Sequence, residues 1–113
     1  MLHKMKLQRD PFEKIRQGKK TVELRLFDEK RQGVQVGDEI EFTDLTEPSR
    51  KLLTKVLRLH LFDSFEELFR ALPASAMGYE VGQIPKAEDM EQYYSKEEQA
   101  LYGVVGIELT VCQ

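Results

Sequence analysis

A glycine turn and the beginning of a strand stand together in Gly18-Lys19-Lys20-Thr21-Val22-Glu23-Leu24-Arg25. Polar and apolar residues alternate from Thr21 onward, a spacing that predicts a β-strand. Because successive strand side chains point to opposite faces, Val22 and Leu24 share one face and Glu23 and Arg25 the other. The apolar residues are expected to enter a core, while the turn gathers lysine, glutamate and arginine at its rim. We therefore expect the functional site at this strand.

Four other segments alternate in the same way and are predicted as strands. They cover residues 3–7, 39–42, 53–61 and 105–111, in addition to the strand at 21–26. The strands are predicted to be largely antiparallel, and the first and last of them could pair. Closure of such a sheet would remove exposed edges. The pattern predicts a mixed α+β, mainly β fold, a small closed or nearly closed barrel of five to six strands with short capping helices.

Short helices are predicted between the strands. Asp10 is predicted to cap the first helix, with Pro11 at the first helical position and Gly18 as its left-handed stop. Phe12 and Ile15 would then face the core. Further helices are predicted over residues 64–72, 87–94 and 95–103, and the stretches 27–33 and 74–86 are predicted to lack regular structure.

Length and composition limit the classes of protein that fit. The chain has 113 residues, which predicts a single domain over residues 1–113. Its charged fraction of 33% and apolar fraction of 41% are typical of a folded globular protein. An apolar leader and a run long enough to span a membrane are both lacking in the sequence. Because Cys112 is the one cysteine and can close no internal disulfide, we expect a cytoplasmic location.

The net charge of −3 is distributed unevenly along the chain. Residues 14–31 hold seven basic and three acidic side chains, a local excess of +4, and residues 80–98 hold six acidic and two basic ones, a local −4. The local field decides which partner approaches a face. We expect the acidic stretch to turn away from a polyanion, although both stretches could simply be solvated surface.

The sequence contains no phosphate-binding loop, dinucleotide fingerprint, nucleophile elbow or zinc-ligand spacing, so no metal or cofactor is predicted. Lys20, Glu23, Arg25, Lys30 and Arg31 form the remaining candidate constellation. Arginine and lysine suit phosphate or carboxylate groups, and a lone carboxylate among them can accept hydrogen bonds from a base or a ribose hydroxyl. The alternative is a set of exposed ion pairs worth roughly 0–1 kcal/mol each.

Three tyrosines are candidate platforms for an unpaired base, which is worth about 1–3 kcal/mol per stacked base. They are Tyr79, Tyr93 and Tyr94. The helical spacing of Tyr94 favours a place in the core. Tyr79, in the irregular segment after Met77, is the better candidate for an exposed ring.

The glycine-turn octet resembles the G-x-K-x-x-E-x-R signature of ASCH (activating signal cointegrator homology) domains. Gly37-Asp38-Glu39-Ile40 and the tail Tyr93-Tyr94-Ser95-Lys96-Glu97-Glu98…Tyr102-Gly103-Val104 are also similar to single-domain bacterial members. The resemblance covers nearly the whole chain. It implies a PUA-like β-barrel with a cleft between barrel and helices, and RNA or a nucleotide-like ligand as the partner.

The signature residues thought to line that cleft correspond to Lys20, Glu23 and Arg25. We expect RNA, a nucleoside or a nucleotide to be held there by Lys19, Lys20, Thr21, Glu23, Arg25, Lys30, Arg31 and Tyr79. Replacement of Lys20 or Arg25 by alanine is expected to weaken binding and to leave the melting temperature almost unchanged.

Two other functions stay open. Some similar proteins hydrolyse acetylated cytidine with a lysine, a threonine three residues later and a distal glutamate, but this chain has Glu23 in the place of that threonine. Ribonuclease activity is also attributed to some ASCH proteins. In either enzyme, Lys20 and Glu23 would be the catalytic, proton-handling pair. The second alternative is a protein-interaction module that uses the charged strand.

Overall fold

A computed structural model describes residues 1–112, which form one five-stranded sheet and several short helices. The strands are β1 (Leu2–Leu7), β2 (Val22–Leu26), β3 (Glu39–Asp44), β4 (Lys51–Phe62) and β5 (Val104–Val111). The helices are α1 (Arg9–Arg16), α2 (Glu29–Gln32), α3 (Phe65–Ala71) and α4 (Lys96–Tyr102), with 3₁₀ turns at Ala74–Met77 and Ala87–Gln92.

The strand order is β1-β3-β4-β5-β2, and the curled sheet forms a half-barrel. β1 runs parallel to β3, with Met5 opposite Phe42, and the other neighbouring pairs are antiparallel. The mixed, mainly β class is thus confirmed. The expected pairing of the first and last strands is wrong, because β5 lies between β4 and β2 and has both edges occupied.

Apolar side chains pack in two clusters. The inner cluster lies within the curl of the sheet and includes Phe12, Ile15, Ile40, Phe42, Val56 and Ile107. The second cluster joins β2 to α3 and the 3₁₀ turns and includes Val22, Leu24, Leu26, Phe65, Leu68, Met77 and Met90. Because the apolar face of β2 belongs to the second cluster, its alternate residues Glu23 and Arg25 point the other way.

Helix α1 begins earlier than its sequence predicts. Its N-cap is Gln8, which makes no side-chain capping bond, and Asp10 lies within the first turn. The expected cap at Asp10 is therefore wrong, although a carboxylate in the first turn still favours the helix dipole. Phe12 and Ile15 are buried as predicted.

The predicted charged loop at 27–33 contains the one-turn helix α2. Asp28 caps it by accepting a hydrogen bond from the Arg31 backbone N–H. Further along the chain, Ser95 and Glu98 form the predicted capping box at the beginning of α4. Within residues 1–112, none of these helices has the length and apolar content that a bilayer-crossing segment requires.

Candidate functional site

A cavity of about 480 Å³ opens beside the outer edge of β2. We call it the edge cavity; it is bounded by the end of β1, the first half of α1 and the segment from Met77 to Tyr94. Its volume lies within the range of about 300–1,000 Å³ that is usual for small-molecule sites. The edge cavity is therefore large enough to hold a nucleobase with part of its sugar.

Three charged side chains from β2 and the residues just before it meet at this cavity. They are Lys20, Glu23 and Arg25, which we call the charged triad. Lys20 Nζ lies 2.8 Å from Glu23 Oε1, and Arg25 Nε donates to Glu23 Oε2 at 2.8 Å. Glu23 is only 4% exposed, and the side chains of Lys20 and Arg25 are each 12% exposed. The triad is thus a buried network, which rules out the alternative of fully solvated surface pairs for these residues.

The environment of Glu23 keeps it ionised. Burial opposes the charged form, but the positive charges and hydrogen bonds of Lys20 and Arg25 outweigh that effect and lower the pKa of the Glu23 carboxyl. At neutral pH the carboxylate is therefore a hydrogen-bond acceptor, with each oxygen already paired to a cation.

Arg25 also connects the two outer strands of the half-barrel. Its Nη2 donates to the backbone carbonyl of Lys6, at the end of β1, over 2.8 Å. Removal of one partner from a buried ionic network leaves uncompensated charge and costs about 3–5 kcal/mol. The burial of Arg25 thus argues against the expectation that an alanine at this position would leave the melting temperature unchanged.

The backbone of Leu24 faces the edge cavity. The Leu109 N–H donates to the Thr21 carbonyl and the Phe27 N–H to the Gly103 carbonyl, so the odd-numbered residues of this strand bond to β5. In an antiparallel ladder the alternate residues then direct their backbone groups to the opposite edge. Leu24 lines the cavity there and presents one N–H and one C=O.

An aromatic wall faces the triad. Tyr79 packs edge-to-face on Phe69 with centroids 6.3 Å apart, and Tyr94 stacks on Phe65 at 6.0 Å. Burial raises the pKa of the Tyr79 and Tyr94 hydroxyls, so both stay protonated. Tyr93 is 63% exposed and is the ring most open to solvent, whereas the sequence had favoured Tyr79 for that role.

Other residues that the sequence put forward lie outside the edge cavity. Lys19 and Lys30 are exposed, and Arg31 is bound to Asp28 at 2.9 Å. Thr21 is also exposed and lines a second, smaller cavity. Of the eight expected binding residues, the edge cavity brings together Lys20, Glu23, Arg25 and Tyr79.

Two contributions to the site were missed by sequence reasoning. Lys14 donates from Nζ to the Gly78 carbonyl at 2.9 Å and lines the cavity, and its spacing of four from Asp10 on one helix face was a usable signal. The stretch at 80–98 also contributes to the wall, through the uncharged residues Gln83 and Met90. Its carboxylates, however, are not among the described residues that line the edge cavity.

Residues 1–112 contain no cluster of three potential metal-ligating side chains.

The half-barrel, with short helices packed against it and a charged triad at its edge strand, defines a small, mainly β domain of the α+β class. The family model of the ASCH domain matches residues 5–113, and the chain belongs to this family. ASCH domains are generally associated with RNA binding. A comparison with curated proteins gave no match.

Solved structures agree with this assignment. The crystal structure of hypothetical protein PH0355 is 32% identical, with a TM-score of 0.83 over 99% of this chain and 100% of that one. The protein PF0455 from Pyrococcus furiosus, known from a solution NMR structure, is 31% identical in sequence. Its TM-score is 0.78, and the match covers 100% of this chain and 99% of that one. An ASCH domain from Lactobacillus crispatus shares the fold at 15% identity, with a TM-score of 0.59 over 96% and 79%.

Proposed function

We propose that this protein binds RNA or a nucleotide, with one unpaired base held in the edge cavity between the charged triad and the aromatic wall of Tyr79, Tyr93 and Tyr94. The observation that carries the proposal is that these two groups of side chains, distant in sequence, line one cavity. Single-stranded nucleic acids are commonly bound by aromatic stacking beside positive charge.

Base recognition would use the edge of β2. The Leu24 N–H and C=O offer one donor and one acceptor, a set that can pair with the polar edge of a nucleobase. Glu23 fixes the positions of Lys20 and Arg25 through its two oxygens. Such a held arrangement lowers the cost of ordering these side chains when a ligand binds.

Phosphate recognition would come from the cations around the opening. The edge cavity is lined by Lys6, Lys14, Lys20 and Arg25 against the two carboxylates Asp10 and Glu23. The exposed Lys19 and Lys30, and Arg31 beside Lys30, would contact phosphates beyond the cavity. Each phosphate neutralised on a single strand should contribute about −0.7 to the slope of log affinity against log salt.

The arrangement of the triad favours binding over hydrolysis. A hydrolase or ribonuclease would need Lys20 or Glu23 to exchange a proton with the substrate. The two residues are instead bound to each other, and Arg25 occupies the second carboxylate oxygen. We expect no product above the buffer control when the protein is incubated with acetylated cytidine or with mixed RNA.

The proposal is tested by substitution of Tyr93, because this exposed side chain can be shortened with little loss of buried contact. Tyr93→Ala removes a stacking ring and should weaken the binding of a short single-stranded RNA about 5- to 150-fold, which corresponds to about 1–3 kcal/mol. Tyr93→Phe keeps the ring and should bind as the unmodified protein does. Affinities from fluorescence anisotropy, with melting temperatures as a folding control, give the comparison.

Two results would contradict the proposal. One is the absence of binding to any member of a panel of nucleosides, nucleotides and short RNAs at high protein concentration. The other is equal RNA affinity for the alanine and phenylalanine variants of Tyr93.

A further inference from the structure

A second cavity lies beside the first, at the other end of helix α1. It has a volume of about 280 Å³ and lies between the last turn of α1, the Lys20–Thr21 segment and the end of β5. We call it the helix-end cavity. Its volume falls just below the usual range for a site that encloses a whole small molecule, so it suits a smaller group.

The two cavities differ in chemistry. The described residues that line the helix-end cavity include no aromatic ring and no carboxylate, whereas two basic residues and two threonines are among them: Arg16, Lys20, Thr21 and Thr110. Cations and hydroxyl groups are the usual contacts of phosphate and ribose, whereas aromatic rings are the usual contacts of bases. The helix-end cavity thus fits the backbone of a nucleic acid rather than a base.

Lys20 connects the two cavities. Among the described residues, Lys20 is the one that lines both cavities. Its Nζ is bound to Glu23, which lines the edge cavity. The exposed Lys19 precedes it. A nucleic acid strand that extends from the edge cavity past these two lysines would next meet Arg16 in the helix-end cavity. The Nε and Nη2 of Arg16 donate to Glu13, and its Nη1 has no partner among residues 1–112.

We propose that the ligand is an oligonucleotide, with one base and part of its sugar in the edge cavity and the ribose and phosphate of the next nucleotide in the helix-end cavity. This inference rests on the proposed function and extends it, because a free nucleotide would fill only the first cavity. Lys19 and Lys20 contact the phosphate between the two, and Arg16 contacts the next one.

The test compares ligands of different length on the same protein. The probes are the four ribonucleoside 5′-monophosphates and the trinucleotides of the same bases, titrated by calorimetry. The trinucleotide of the preferred base should bind at least about tenfold more tightly than its monophosphate, as expected for one added charge-assisted contact. Its salt dependence should be steeper by about 0.7 for each added phosphate contact.

Arg16→Ala should reduce trinucleotide affinity about tenfold and leave monophosphate affinity unchanged. Arg70→Ala is the matched control, because Arg70 also ends a helix in an intrahelical pair, with Glu66, but lines neither cavity. It should change neither affinity.

Each outcome separates the two proposals. Binding of a monophosphate with no gain for the trinucleotide, or equal trinucleotide affinity in Arg16→Ala and the unmodified protein, overturns the oligonucleotide inference and leaves the proposed function standing. Failure of both monophosphates and trinucleotides to bind overturns the proposed function, and this inference with it.

Discussion

Glu23 lies at the centre of the site as a buried carboxylate that two cations share. Its partners contact different oxygens, Lys20 one and Arg25 the other, so the three side chains fix one another. The sequence predicted that Glu23 and Arg25 would share a strand face, since alternation determines which residues point the same way, and that the glycine turn would bring Lys20 to them. It could not predict that the face would be covered, because the covering residues come from β1 and from the segment at 77–94.

Glu23→Gln should lower the free energy of unfolding by about 3 kcal/mol at neutral pH, because two nearly buried cations lose their counter-charge. Since the pKa of Glu23 is lowered by folding, its contribution is present above the unfolded value of about 4.3 and is lost as the pH falls through the lower folded value. The gap between the variant and the unmodified protein should therefore narrow below about pH 4. Urea unfolding of both proteins at pH 7 and at pH 3 measures this difference in the free energy of unfolding.

Glu39→Gln is the control for this variant, since Glu39 is an exposed carboxylate on β3. It should change the free energy of unfolding by less than about 0.5 kcal/mol. A Glu23→Gln protein as stable as the Glu39→Gln protein at pH 7 would mean that the triad does not stabilise the fold.

Among the elements, β2 is held by neighbours at one edge, on one face and at its beginning. β5 pairs with one edge, the second apolar cluster covers one face, and the first 3₁₀ turn accepts the Thr21 N–H at the Ala76 carbonyl. Gly78 follows this turn with φ of +91°, and Lys14 donates to its carbonyl. Gly78 thus lies against the aliphatic part of the Lys20 side chain.

Gly78→Ala should affect both stability and binding. A side chain in the left-handed region costs about 1–2 kcal/mol, and the new Cβ would lie 3.3 Å from Lys20 Cδ. Because Lys20 Nζ is held by Glu23, the side chain cannot simply swing away. We expect ligand affinity to fall together with stability, measured by thermal unfolding and by titration with a short RNA.

Gly82→Ala supplies the comparison. Gly82 has φ of +88°, and no atom lies within 4 Å of the position of an added Cβ. This variant should lose similar stability from backbone strain and keep its affinity. Equal affinities in the two variants would show that the Gly78–Lys20 contact has no part in the site.

Local patterns predicted the elements better than their boundaries. The strands followed from alternation, and the capping box at Ser95 followed from residue chemistry. The helix cap was placed at Asp10 because aspartate before proline is typical of a helix start, but the helix already begins at Arg9. The one-turn helix α2 was missed because four charged and polar residues carry no apolar periodicity.

At the scale of the whole molecule, the site depends on a contact between strands that do not pair. β1 and β2 end the sheet on opposite sides, and Arg25 reaches the Lys6 carbonyl at the end of β1. The parallel pairing of β1 with β3 could not be predicted, since strand alternation carries no information on which strands become neighbours. The class of fold was accessible from the sequence and a cleft was implied by the family resemblance, whereas the elements that border the edge cavity could not be predicted.

We expect a nucleic acid to bind where the charged triad faces the aromatic wall. The backbone amide NMR signals of the protein report the place of binding when a short single-stranded RNA is titrated into it. We expect the signals of Leu24, Tyr79 and Tyr94 to shift in a saturable way, while those of Glu66 and Arg70 on α3 stay in place. Saturable shifts confined to α3, or no shift at the edge cavity while the RNA is bound, would show that the RNA binds elsewhere on the protein.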